Sequence, residues 1–251
     1  MNDDELLKKR FAELAKKSYE GGYYLFTDFL GLGEQALFNE AKKDFKEVKY
    51  TAFGGASGAE RVMIRFGDPD EFGYEEDFPI ACIKIEPRQE KFADKLTHRD
   101  FLGALLNLGI DRSRLGDIPI IDNVGYLFLK EDMLDFILTS LTRVKRTDVK
   151  LSRIDTLPEG DLYRTEPRRI QLQSERIDAV VAKVFSISRE DALAYFKRGL
   201  VFVDGRLTES SSYTPKNGEI ISVRGLGRLI YRGFSSTSKK GKLNADVDLF
   251  V

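Results

Sequence analysis

Arg176-Ile177-Asp178-Ala179-Val180-Val181-Ala182-Lys183-Val184-Phe185-Ser186-Ile187-Ser188-Arg189-Glu190-Asp191-Ala192-Leu193 packs two short helical patterns into eighteen residues, each with an arginine at its start. Ile177, Val180, Val181 and Val184 recur at i, i+3, i+4 and i+7, which gives one apolar stripe; Leu193 and Phe196 supply the second helix's share. Ser174 is placed to cap the first helix, and Ser188 with Asp191 forms a capping box for the second. Arg176 and Arg189 then lie in first turns, beside backbone N–H groups that have no helical partner, an arrangement that seats a phosphate. After Lys197-Arg198-Gly199 the pattern changes to a strand at Val201-Phe202-Val203 and a turn at Asp204-Gly205, and residues 219–224 with 228–232 complete a small curled sheet.

The charge of the chain is segregated around this element. Its 251 residues have a formal net charge of −1 and 42% apolar composition, which by themselves describe an ordinary neutral protein. Residues 1–142, however, hold 19 Lys+Arg against 27 Asp+Glu, a balance of −8, whereas 143–242 hold 21 against 12, a balance of +9. A basic C-terminal part is the electrostatic footprint of nucleic-acid binding, because neutralising phosphates releases condensed counterions. The single cysteine, Cys82, excludes an internal disulfide and a thiolate zinc set. No apolar run approaches the length of a bilayer span and the first ten residues lack a signal-like core, so a cytoplasmic location with no membrane partner is expected.

Upstream, residues 6–19 repeat apolar residues at helical spacing before Gly21-Gly22, a second helix is expected over 33–44, and 48–53 and 61–66 alternate like paired strands around Gly54-Gly55-Ala56-Ser57-Gly58. An acidic connector, 68–77, leads to an apolar strand at 78–86. A helix at 97–108 with Thr97 and Asp100 as a capping box follows, then strands at 118–122 and 125–130, a helix at 131–140 and a strand near 148–154. The order βαββαβ is that of a ferredoxin-like (RRM-like) plait. Tyr126 and Phe128 share one strand face, either to stack bases or simply as core. The fold class expected is therefore α+β: an N-terminal α/β domain (1–74), an RRM-like middle domain (75–155), a basic C-terminal domain (174–234) and a tail (235–251), of which the Ser/Lys-rich stretch 235–242 is expected to be mobile. The extended segment 156–173 can return to pair with the first domain and complete it.

Arg176-Ile177-Asp178, Ser188-Arg189, Lys197-Arg198-Gly199-Leu200-Val201, Val203-Asp204-Gly205 and Asn217-Gly218-Glu219-Ile220-Ile221 closely resemble the S4 RNA-binding domain. His98-Arg99-Asp100-Phe101-Leu102-Gly103-Ala104-Leu105-Leu106-Asn107-Leu108-Gly109-Ile110, Leu115-Gly116-Asp117-Ile118 and Ile221-Ser222-Val223-Arg224-Gly225-Leu226-Gly227-Arg228 extend the likeness to the YlmH family over nearly the whole chain. That resemblance implies a C-terminal S4 domain (αL-type). It also implies a bacterial, cytoplasmic protein that binds structured RNA on the large ribosomal subunit, in ribosome-associated quality control and with a link to cell division; rRNA is the expected ligand with tRNA a further one, and a monomer is expected. It assigns RNA phosphates to Arg176 and Arg189. Ser188, Lys197, Arg198, Lys216, Arg224 and Arg228 complete the expected RNA-binding set, while Asp204 puts a carboxylate in a turn where RNA can pass.

The competing readings are an RNA-modifying enzyme of the pseudouridine synthase or methyltransferase kind, with Asp178 as its carboxylate, and a protein-interaction adaptor acting in division. The synthases place their catalytic domain after the S4 domain, where this sequence has only a short tail, so a salt bridge to a basic neighbour is the better expectation for Asp178. His98-Arg99-Asp100 lacks the asparagine of a kinase loop, with Leu105 in its place, and His98 has no second histidine for a metal. The glycines at 54–58 lack the lysine of a phosphate loop. Carboxylates at 68–77 do not keep calcium-loop spacing and read as a solvated loop. No catalytic residue, metal or cofactor is expected.

Overall fold

The computed structural model describes residues 2–158, 162–237 and 243–250 and divides into two compact units, Met1–Leu162 and Tyr163–Val251. The first begins with α1 (Asp3–Gly21), capped by the Asn2 side chain on Glu5 N–H (2.9 Å) and closed by Gly22 in the left-handed region (φ 65°). Next come β1 (Leu25–Phe26), α2 (Leu32–Ala41), β2 (Tyr50–Phe53) and β3 (Met63–Phe66), whose sheet order is β1-β3-β2. Phe11, Leu14 and Ala15 of α1 bury against Phe38 and Phe66, while the buried Ser18 hydroxyl donates to Tyr23 O (2.8 Å). After the one-turn α3 (Pro69–Phe72), the order is β4 (Ile80–Pro87), α4 (His98–Asn107), β5 (Ile120–Ile121), β6 (Val124–Lys130), α5 (Leu134–Ser140), β7 (Arg143–Val144) and β8 (Thr147–Arg153). These strands form an antiparallel sheet ordered β5-β6-β4-β8-β7. The sequence-predicted βαββαβ succession is present, with β7 as a short addition, and Thr97 accepts its capping role through Asp100 (2.9 Å to Thr97 N–H).

Alternation decides the two faces of this sheet. Ile83, Ile85, Leu127, Leu129 and Val149 point at α4 and α5, whereas Cys82, Tyr126 and Phe128 point the other way. Phe128 is 2% exposed because the loop after β2 lies on it: a Cβ on Gly55 would stand 2.3 Å from the ring. Tyr126, 9% exposed, is buried as well, so both rings are core, and burial overturns the base-stacking alternative for them. Burial also pushes the Cys82 thiol up to about 12. Gly55 has φ 95°, so Gly55→Ala combines left-handed strain with a clash and is expected to lower stability by roughly 2–4 kcal/mol. Gly73→Ala, at φ 75° but with open space, should cost only about 1 kcal/mol in the same urea titration; equal costs would show that Phe128 yields freely.

The second unit contains β9 (Thr165–Leu172), α6 (Ile177–Val184), α7 (Arg189–Lys197), β10 (Val201–Val203), β11 (Arg206–Leu207), β12 (Ile220–Val223), β13 (Gly227–Thr237) and β14 (Leu243–Phe250). Its six-stranded antiparallel sheet runs β11-β10-β12-β13-β14-β9. Two expectations are corrected here. The extended segment does not complete the first domain: Thr165–Leu172 pairs over its whole length with β14, from Thr165 opposite Phe250 to Leu172 opposite Leu243. The supposed tail is a long hairpin arm, in which Ala245 and Val247 bury with Ile170 and Leu172 while Asp246 and Asp248 face outward to Arg169 (2.7 Å) and Arg232 (2.6 Å). Of the Ser/Lys-rich stretch, residues 238–242 lie outside the described residues.

Candidate nucleic-acid interface

The two opening arginines meet at one buried carboxylate. Asp178 is fully buried in the first turn of α6. Arg176 forks onto it, Nε to Oδ1 at 3.0 Å and Nη2 to Oδ2 at 3.1 Å, and Arg189 reaches it from α7, Nε to Oδ2 at 3.2 Å. Ala179 N–H donates to the same Oδ1 (3.0 Å). Burial pushes the Asp178 carboxyl up, but the guanidiniums of Arg176 and Arg189 outweigh it and hold the group below the usual carboxylate range. The expected salt bridge at Asp178 is thus present twice. Both arginines remain accessible, with side chains 39% and 52% exposed. Each guanidinium carries five N–H donors, of which Asp178 takes two from Arg176 and one from Arg189.

The helix starts differ from the sequence expectation in one respect. Arg176, rather than Ser174, occupies the N-cap of α6, in extended backbone (φ −65°, ψ 140°). The N–H groups of the first turn are already engaged, Ile177 on Tyr213 O (2.8 Å), Asp178 on Ser211 O (3.3 Å) and Ala179 on Asp178 itself. An anion at α6 would therefore meet guanidinium, with those amides already satisfied. At α7 the Ser188 hydroxyl caps the helix by accepting from Asp191 N–H (3.0 Å) and donates to the Asp191 carboxylate (2.7 Å), so the expected capping box is present in its N-cap half, and Arg189 is the first helical residue.

Among the described residues, none of the remaining basic ones bonds to Asp178. Lys197 ends α7 and Arg198 caps it, about 12 Å along the axis from Arg189. Lys216 is an exposed turn residue whose backbone N–H is held by Glu219 (2.8 Å). Asp204, at φ 47°, spends its carboxylate on Ile220 N–H (2.9 Å), which explains an acid in that turn. Phe202, Ser222 and Arg228 are cross-strand neighbours on the sheet face turned away from α6 and α7. There the Arg224 guanidinium lies 5.1 Å from the Phe202 ring, and that of Arg228 lies 4.2 Å from Phe250 and 5.5 Å from Tyr163. Sequence reasoning missed these aromatic partners, which come from β10, β14 and the segment before β9, far apart in the chain. Arg168 and Arg169, also in the basic half, pair with Glu166 (2.9 Å) and Asp246.

His98 opens α4 as an exposed residue, and among the described residues no group of three or more His, Cys, Asp or Glu is placed to hold a metal ion. No helix among the described residues is long and apolar enough to cross a membrane.

These features define an α+β protein in which a buried carboxylate clamps two arginines at a helix–helix junction. Residues 74–157 match the family model described as "Putative RNA-binding domain in YlmH". Over 227 residues, the chain is 31% identical to the "Ribosome-associated protein quality control protein P2" of Bacillus subtilis, covering 86% of this chain and 83% of that protein. A solved structure, "Cell division protein ylmH from Streptococcus pneumoniae", is 22% identical with a TM-score of 0.48, covering 61% of this chain and 92% of that one. The chain belongs to the YlmH family.

Proposed function

We propose that the protein is a non-enzymatic RNA-binding protein whose α6–α7 pair, read as an S4-type domain, grips structured RNA through Arg176 and Arg189. The observation that carries this reading is the shared Asp178: it fixes two guanidiniums in one orientation while leaving most of their donors unspent. Pre-organised forks of this kind suit phosphate oxygens, and contacts to phosphate give affinity and register with little sequence readout. The family model's description and the Bacillus relative's name support RNA and a ribosome-linked role. On this reading the middle module is RRM-like, the chain works as a cytoplasmic monomer on rRNA of the large ribosomal subunit, tRNA is a further ligand, and the process is ribosome-associated quality control. The link to cell division follows from that role at the ribosome.

The test is co-sedimentation with purified large ribosomal subunits at two salt concentrations. The variant to use is Arg176→Gln/Asp178→Asn/Arg189→Gln, which removes the buried charge together with its partners and so keeps the unit folded. It should fail to co-sediment while melting within a few degrees of the wild type; equal co-sedimentation removes the assignment.

A further inference from the structure

The first unit carries a basic face unrelated to α6 and α7. Residues 88–100 and 143–148 together hold seven Lys+Arg against four Asp+Glu, a balance of +3, although residues 1–142 as a whole stand at −8. Phe92 tops this face at 77% exposure, the highest of the large apolar side chains among the described residues, on the single 3-10 turn Glu90–Phe92. The Lys91 ammonium lies 5.7 Å from its ring. This turn is fastened to the one between β7 and β8: Asp94 N–H donates to Thr147 Oγ1 (2.9 Å), and Arg146 pairs with Asp94 (3.3 Å). Lys145, held at φ 56° in that second turn, lines a groove of about 470 Å³ along α4 together with Arg99, Asp100, Gly103, Asn107 and Arg143. Asp100, whose carboxylate accepts from Thr97 N–H (2.9 Å), sets one negative charge against Arg99, Arg143 and Lys145, and Arg143 also pairs with Asp148 (3.0 Å), so the groove keeps a cationic excess. A Cβ on Gly103 would meet nothing within 4 Å, which leaves the groove open over that glycine.

We propose that this face is a second RNA contact that takes a single-stranded segment: an unpaired base stacks on Phe92, and the phosphates that follow lie along α4 against Arg99, Arg143 and Lys145. It rests on the reading of the chain as an RNA-binding protein. An exposed aromatic ring beside cations offers a base a stacking partner irrespective of sequence, while paired bases inside a duplex have no free face to give it. On the opposite, sheet face of the same module Phe128 and Tyr126 are buried, 2% and 9% exposed, so neither offers a base the open ring that Phe92 does.

The test is fluorescence anisotropy of the full chain with a labelled RNA hairpin bearing an unpaired loop and with a blunt RNA duplex, over a salt series. Phe92→Ala should weaken hairpin binding about tenfold and leave duplex binding unchanged. Gly103→Glu, which fills the groove with a side chain and a negative charge, should weaken hairpin binding, leave duplex binding unchanged, and flatten the hairpin's slope of log affinity against log salt by about 0.7 for each phosphate that is no longer neutralised. A Cβ has open space there and glutamate is the better helix former than glycine, so a Tm equal to or slightly above that of the wild type is expected. Arg189→Gln serves as the control for the α6–α7 site. If Phe92→Ala and Gly103→Glu bind both RNAs like the wild type while Arg189→Gln binds weakly, this inference falls, the α6–α7 reading stands, and an acidic protein becomes the partner to seek for this face. A wild type that binds neither RNA overturns both.

Discussion

Arg176→Ala/Arg189→Ala is expected to lower the stability of the second unit by about 3 kcal/mol as well as to abolish RNA binding. Both side chains are more than a third exposed, which by itself suggests a surface change with little effect on folding. Asp178 reverses that expectation. Its carboxylate is fully buried, and without the two guanidiniums only Ala179 N–H remains to satisfy it. Breaking a buried ion pair from one side costs roughly 3–5 kcal/mol because the remaining charge is uncompensated; solvent access at the arginines places this site at the lower end. Adding Asp178→Asn should restore most of the loss without restoring RNA affinity, which separates the two effects.

The same site fixes the sign of a pH dependence. In the wild type the folded-state value of Asp178 lies below its ordinary 3.8, so its contribution is present above about pH 4 and is lost as the pH falls through the folded value. In the double-alanine variant burial acts unopposed, and the folded value moves above the unfolded one. That variant should therefore lose stability as the pH rises from 4 to 7, and the gap between the two proteins should be widest at neutral pH. Urea titrations of both proteins at pH 4 and pH 7 measure it; a gap that does not narrow in acid would mean that Asp178 finds other partners.

Arg61→Ala is expected to cost the first unit about 3 kcal/mol, equivalent to a fall in Tm of roughly 10 °C. The Arg61 guanidinium donates to three backbone carbonyls, Leu115 O through Nε (2.9 Å) and Phe29 O (2.8 Å) and Arg112 O (3.2 Å) through Nη2. Beside it the backbone N–H groups of Glu60 and Arg61 donate to Asp117 (2.6 and 3.2 Å). One side chain thus joins the β1–α2 loop to the connection between α4 and β5. Arg112 donates to Leu115 O (2.8 Å) and Gly116 O (2.9 Å) in the same place; burial, and then the positive charge of Arg61, lower it to about 10. Arg61→Lys should not rescue the loss, since an ammonium cannot reproduce a planar fork onto carbonyls in three directions. A thermal melt in which Arg61→Lys matches the wild type would instead assign the stability to charge alone.

Several parts of this picture were legible in the sequence because they depend on neighbours only a few residues apart. The caps at Thr97/Asp100 and Ser188/Asp191, the apolar stripe of α6, the β5–β6 turn at Asp122 and Asn123 (φ 50° and 66°) and the alternation of the middle strands are all local signals. The β14 arm was also written locally, since Leu243, Ala245, Val247 and Leu249 alternate with polar residues, yet the Ser/Lys-rich stretch just before it made the whole end of the sequence look like a tail. What makes it a strand is pairing on both edges, with β13 just before it and with β9 far upstream, from Leu172 opposite Leu243 to Thr165 opposite Phe250. Its outward acids need Arg169 and Arg232, and its inward residues need Ile170 and Leu172.

From the sequence alone came the α+β class, the succession of helices and strands, the segregation of charge and the two arginines as residues of interest. Tertiary structure decided which faces of those elements are available. It covered Phe128 with Gly55, set Arg228 between Phe250 and Tyr163 on the sheet face away from α6, and turned Asp178 into the common anchor of Arg176 and Arg189. The physical reason is that hydrogen bonding and apolar periodicity act over a few residues and fix local conformation. Burial, and with it the free energy of a charge, is set by whatever the folded chain brings alongside.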